Sequence, residues 1–203
     1  MYPWSPLPVH NINTWSGYAT IQEAINANET LDGHVIFVET GTYSEHANIN
    51  KSISLIGENR STTIIDGKGS GDVVTVASPN IVLTGFTIRN SSVGKSGIWV
   101  EGGSHGSTIL GNKITDCSYG VSVHSSFQVE IVGNEIYSIT TYGIDLTNAC
   151  RSVVESNKIT NGTTGLVLHA SYGNNISNNM IADLRYGLLL YNSGNNTLRN
   201  NNM

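Results

Sequence analysis

His124, Asp145 and His169 are the residues of this chain whose types and spacing could move a proton. Each holds an alternate position in or just after an apolar run that starts at a glycine: Gly120-Val121-Ser122-Val123-His124, Gly143-Ile144-Asp145-Leu146 and Gly165-Leu166-Val167-Leu168-His169. If these runs are strands stacked about 4.8 Å apart, Asp145 lies one step from each histidine. A carboxylate flanked by imidazoles can orient a proton-transfer group. The histidines are then about 9.6 Å apart, too far to share a metal ion easily. The same face carries Trp99, Glu101 and Tyr191. A ring can stack on a sugar while an acid binds its hydroxyls, so these three are candidate carbohydrate contacts. Solvent-facing ladder residues of no function would have the same types, and nothing in the sequence makes the groups converge. No metal site and no cofactor is expected.

The glycines belong to a repeat. Gly97, Gly120, Gly143, Gly165 and Gly187 are spaced 23, 23, 22 and 22 residues apart. An asparagine two residues before an apolar residue keeps the same step: Asn112/Ile114, Asn134/Ile136, Asn157/Ile159, Asn179/Ile181 and Asn201/Met203. A fixed period of this length marks a stacked repeat. Within a unit, apolar and polar residues alternate over three short runs separated by Gly, Asn and Ser, which is strand periodicity. Parallel pairing normally needs a long crossover, and three short strands joined by turns supply it as one coil. The expected fold is all-β, a single-stranded right-handed parallel β-helix with three short strands per coil and 22 or 23 residues per coil.

Alternation places Ile98, Val121, Ile144, Leu166 and Leu188 in one inward column. Ile109, Ile131, Val154, Ile176 and Leu198 make a second; Ile114, Ile136, Ile159, Ile181 and Met203 make a third. The aligned asparagines fall at a corner, where amides can bond the backbone and one another from coil to coil. Lys113, Glu135 and Lys158 share an outward column in which charge alternates.

Residues 1–19 read as an N-terminal arm or linker and 20–203 as the β-helix. Thr20 and Glu23 form a capping box for a short capping helix over 20–30. Irregular coils over 31–95 follow, with strands at 35–39, 53–56, 63–66, 73–76, 81–84 and 86–88, and regular coils fill 96–203. The last coil, ending at Asn200-Asn201-Asn202-Met203, is expected to be uncapped and to present open ladder groups. Self-association through that coil, or through an arm at Tyr2-Pro3-Trp4-Ser5-Pro6-Leu7-Pro8, is the expected partnership.

A net charge of −5 with no basic cluster argues against nucleic acid and against an anionic membrane surface as partners. No apolar run is long enough for a transmembrane segment. Low charge with abundant Asn, Ser, Thr and Gly fits an extracellular, cell-surface or periplasmic protein. Asn28, Asn50, Asn59, Asn90, Asn161, Asn175 and Asn195 head Asn-X-Ser/Thr sequons, a weak signal in so Asn-rich a chain. Cys117 and Cys150 occupy different repeat positions, which favours free or intermolecular thiols over a designed disulfide.

The runs Thr20-Ile21-Gln22-Glu23-Ala24-Ile25-Asn26, Val35-Ile36-Phe37-Val38-Glu39-Thr40-Gly41-Thr42-Tyr43, Ile53-Ser54-Leu55-Ile56-Gly57 and Thr63-Ile64-Ile65-Asp66-Gly67 resemble the opening segment of the pectin-lyase-like β-helix superfamily. The later repeats resemble the periplasmic copper-binding β-helix family associated with nitrous oxide reductase maturation, and related prokaryotic surface proteins. The resemblance implies the fold more than an activity, because lyases, hydrolases, esterases, epimerases and non-catalytic proteins share the framework. The paired aspartates of pectin methylesterases and the adjacent Asp-Asp of polygalacturonases have no counterpart here. Ser104-His105-Gly106 only faintly resembles the latter's His-Gly turn, and Asp145 with Arg151 lacks the acid cluster of pectate lyases. The expected function is a non-catalytic surface module, structural or carbohydrate-binding. The alternative is a polysaccharide-active enzyme with His124, Asp145 and His169 on its catalytic face.

Overall fold

The computed structural model describes residues 6–203. Tyr2, Pro3, Trp4 and Ser5 of the expected arm lie outside the described residues. The stretch after them is not a linker. Val9–Asn11 and Ser16–Tyr18 form an antiparallel hairpin, and the first of these pairs antiparallel with Val35–Val38 of the opening coil. Val9 is fully buried, and Asn11 donates to the Thr30 hydroxyl over 2.9 Å. One apolar residue in Val9-His10-Asn11 leaves no alternation to read, and the stretch owes its order to the coil end that it covers.

The helix Ile21–Asn26 sits beside that hairpin with both halves of its capping box formed, Thr20 on the Glu23 N–H and Glu23 on the Thr20 N–H. Glu45 accepts from the N–H groups of Ile21 and Gln22 at 3.0 and 2.8 Å, which occupies two more first-turn donors. Ile21, Ala24 and Ile25 are buried, so the helix closes one end of the core.

From Val35–Val38 onward every pairing between coils is parallel. The three inward columns stand in register as alternation requires, with Ile144 opposite Leu166, Val154 opposite Ile176 and Ile136 opposite Ile159. In the later coils the third run of one coil and the first run of the next join into one long strand: Lys113–His124, Glu135–Thr147, Lys158–His169 and Met180–Tyr191. Each bends at a left-handed residue, Asp116, Ser138, Asn161 or Asp183, with φ of 54°, 56°, 53° and 59°. One residue in that conformation turns the chain while pairing continues on both sides.

The repeating glycine is required by close approach. A Cβ on Gly143 would stand 2.5 Å from Ile159 Cγ2 and 2.6 Å from the carbonyl oxygen of Gly165 on the next coil. The asparagine corner is a continuous ladder. Asn157 Oδ1 accepts from the N–H of Asn134 at 3.0 Å, and its Nδ2 donates to the carbonyl of Ile131 at 2.8 Å. Asn112, Asn134 and Asn179 repeat the pattern, all buried. A second ladder, through Ser152, Asn174 and Asn196, serves another corner: Ser152 N–H donates to Asn174 Oδ1 at 2.8 Å, and Asn174 N–H to Asn196 Oδ1 at 2.9 Å. Among the described residues no buried side-chain nitrogen or oxygen lacks a partner. Leaving one unmade would cost about 1–3 kcal/mol, so the ladders hold the corners.

Leu190, Leu198 and Met203 on the last coil are 41%, 44% and 59% exposed. No helix among the described residues is long and apolar enough to cross a membrane.

Candidate functional site

The column expected to face solvent is mostly covered. Ser122, Asp145 and Val167 are buried, and bulkier residues stand on both sides of them: Tyr119 and Tyr142 along one edge, His124 and His169 along the other. At the end of this column nearest the helix a groove of about 240 Å³ opens. It is lined by Trp99, Ser122, His124 and Asp145 together with Asp72, Lys95, Ser96 and Tyr119.

The strand Ser96–Val100 supplies Trp99, Lys113–His124 supplies His124, and Glu135–Thr147 supplies Asp145, on three successive coils. The His124 ring packs on the Trp99 indole with centroids 4.3 Å apart and planes at 33°. His124 Nε2 stands 3.5 Å from Asp145 Oδ2, and Asp145 Oδ1 accepts from the Thr147 hydroxyl at 3.0 Å. Thr147 is the register partner of His124, so one hydroxyl fixes the carboxylate beneath the imidazole.

The opposite wall is polar. Lys95 Nζ lies 3.0 Å from Asp72 Oδ2, the Ser96 N–H donates to Asp72 Oδ1 at 2.7 Å, and the Ser96 hydroxyl donates to that of Ser122 at 3.1 Å. The Tyr119 ring meets that of Tyr142 edge-on at 5.5 Å. Burial first, then the neighbouring Tyr142 and Asp145, push the Tyr119 phenol above its ordinary pKa, so it remains a hydrogen-bond donor at neutral pH. An indole floor, one carboxylate, one imidazole and several hydroxyls suit a ligand with an apolar face and many hydroxyls.

Of the residues expected from the sequence, Trp99, His124 and Asp145 meet in this groove. His169 stands beyond Thr147, its ring 6.3 Å from that of Tyr191, and neither lines the groove. A ladder column runs along the axis, so membership of a column does not bring residues two coils apart together. Glu101 is exposed outside the groove, just past the end of the strand Ser96–Val100. Asp72, Lys95, Ser96 and Tyr119 were not legible as site residues, since they precede the glycine anchors rather than follow them; the recurring Tyr-Gly pairs at Tyr119 and Tyr142 were the available signal. Among the described residues no three His, Cys, Asp or Glu side chains are grouped to hold a metal ion.

Residues 65–203 match the family described as the right handed beta helix region. The chain belongs to this β-helix family. A stretch of 107 residues, 52% of the chain, is 36% identical to a cell surface glycoprotein of Methanothermus fervidus. That stretch covers 17% of the relative's length, so the chain corresponds to a small part of it. Among solved structures, the Dettilon tailspike protein matches with a TM-score of 0.54 at 14% identity, over 77% of this chain and 39% of that one. The pectin methylesterase of Yersinia enterocolitica matches with a TM-score of 0.47 at 18% identity, over 89% and 66%. At these identities the tailspike bears on the β-helix fold alone, and the methylesterase carries no argument.

Proposed function

We propose that this β-helix chain is a non-catalytic module of a cell-surface protein and that its first-strand groove holds carbohydrate. The observation that carries the location is the 36% identity over 107 residues to a protein named as a cell surface glycoprotein. The carbohydrate reading rests on the His124 ring 4.3 Å from the Trp99 indole and on Asp145 Oδ2 3.5 Å from His124 Nε2. Antibody labelling of intact, unpermeabilised cells of the producing organism tests the location. Labelling that protease treatment of those cells removes is expected, and labelling only after permeabilisation contradicts it.

Self-association belongs to the same proposal. A further coil in the same register can stack on Met180–Tyr191 and Thr197–Arg199, covering Leu190 and Leu198. Electron microscopy that finds only monodisperse short rods at high concentration would count against it.

The second reading, a polysaccharide-active enzyme, draws on the His124–Asp145 pair opening into the groove. Cleavage of an acidic or neutral polysaccharide, lost in Asp145→Asn, supports it; no activity across a broad panel counts against it.

A further inference from the structure

A different face carries a second feature. His105, Phe127, Cys150, Tyr172 and Gly194 follow one another on successive coils: Phe127 bridges to Cys150 and Cys150 to Tyr172, the Gly106 N–H donates to the carbonyl of Phe127, and the Gly173 N–H to that of Gly194. The His105 and Phe127 rings stack at 3.5 Å with planes 20° apart, so the Phe127 ring lies across the helix axis. Tyr172 covers Gly194 at the other end, its Cδ1 and Cε1 3.6 Å from where a Cβ would stand. The column thus carries rings at His105, Phe127 and Tyr172, with the short side chain of Cys150 between the last two.

Phe127 and Tyr172 are 42% and 46% exposed, and the space between them belongs to a groove of about 370 Å³ that Cys150, Arg151 and Asn195 also line. Two coils separate the rings, about 9.6 Å, which leaves room for one ring stacked about 4.5–5 Å from each. The Arg151 side chain reaches over Gly173, and its guanidinium has no hydrogen-bond or ion-pair partner among the described residues. Arg151 is exposed, so its guanidinium is available to an anionic group held beside the two rings.

We infer that this slot binds one pyranose ring of an anionic glycan, stacked between Phe127 and Tyr172 over Cys150, with its charged substituent on Arg151 and a hydroxyl on the Asn195 amide. The slot is separate from the Trp99 groove and does not depend on it.

Cys150 is half-buried while Cys117 is buried, so the rate of reaction with Ellman's reagent reads the slot directly. Hexasaccharides of a hexuronate, a sulfated sugar and a neutral sugar serve as probes. Both anionic probes, or one of them, should slow Cys150 modification saturably, with the neutral probe at least about tenfold weaker. Phe127→Ala and Tyr172→Ala should each weaken protection about tenfold, and Arg151→Gln should erase the preference for anions. The rings are exposed, so circular dichroism should report intact folds. Protection by none of the three probes, or protection unchanged in all three slot variants, overturns the proposal.

Discussion

His124 Nε2 stands 3.5 Å from Asp145 Oδ2 although the two are not register partners: His124 pairs with Thr147, and Asp145 with Ser122. The diagonal contact exists because Thr147 turns the carboxylate toward the imidazole and the Trp99 indole supports the imidazole from the coil before. Three coils are therefore joined by side chains above the backbone ladder.

Asp145→Asn keeps an oxygen for Thr147 and removes the charge. Its fold should be unchanged and its affinity for a groove-bound glycan about tenfold lower, by the worth of a charged hydrogen bond. Isothermal calorimetry against the wild-type protein measures this, and equal affinities would place the sugar away from Asp145.

The Asn157 side chain makes four ladder bonds, accepting from Asn134 N–H and Asn134 Nδ2 and donating to the Ile131 carbonyl and Asn179 Oδ1. Asn157→Ala removes the acceptor of the buried Asn134 N–H and the amide donor to the Ile131 carbonyl, and should cost about 2–4 kcal/mol in urea unfolding. Loss of less than about 0.5 kcal/mol would mean that water or a corner shift replaces the amide.

Gly143→Ala forces a methyl against the Gly165 carbonyl on the next coil, where the neighbour is backbone. Gly133 has a φ of 63° and nothing within 4 Å of where a methyl would stand, so Gly133→Ala brings only left-handed strain. Gly143→Ala should lower stability by about 2–4 kcal/mol and Gly133→Ala by about 1–2 kcal/mol, the first exceeding the second in denaturant midpoints.

Asp66 gives the pH dependence. Burial opposes its ionisation, yet bonds from Asn90 Nδ2, the Lys68 N–H and Arg89 Nε outweigh burial and hold its pKa below the ordinary carboxylate value. The folded value is lower than the unfolded one of about 3.9, so the stabilisation is full above that value and is lost as pH falls through the folded pKa. Urea midpoints between pH 6 and pH 2 should fall more steeply in the wild-type protein than in Asp66→Asn. Parallel curves would mean that other carboxylates carry the acid response.

The coil was legible because period two and the 22-residue step coincide: Ile144 and Leu166 had to face the same way and lie in register. The hairpin of Val9–Asn11 and Ser16–Tyr18 was not, because one buried valine makes no pattern. The long bent strands were hidden because their corners, Asp116, Ser138, Asn161 and Asp183, share a conformation and not a residue type. Half of the groove was readable from the outward column of Trp99 and Asp145. The other half, Asp72 with Lys95 and Ser96, is also one coil step apart, but these residues lie before the first glycine anchor, Gly97, and carry none of the repeat's marks.

The claim that the first-strand groove holds carbohydrate is tested most directly by calorimetric titration of envelope glycan fragments into the wild-type protein and Trp99→Ala. Saturable binding by the wild-type protein, weakened at least about tenfold in Trp99→Ala with an unchanged circular dichroism spectrum, is the predicted result. Identical isotherms for the two proteins, or no binding of any fragment by the wild-type protein, would contradict the claim.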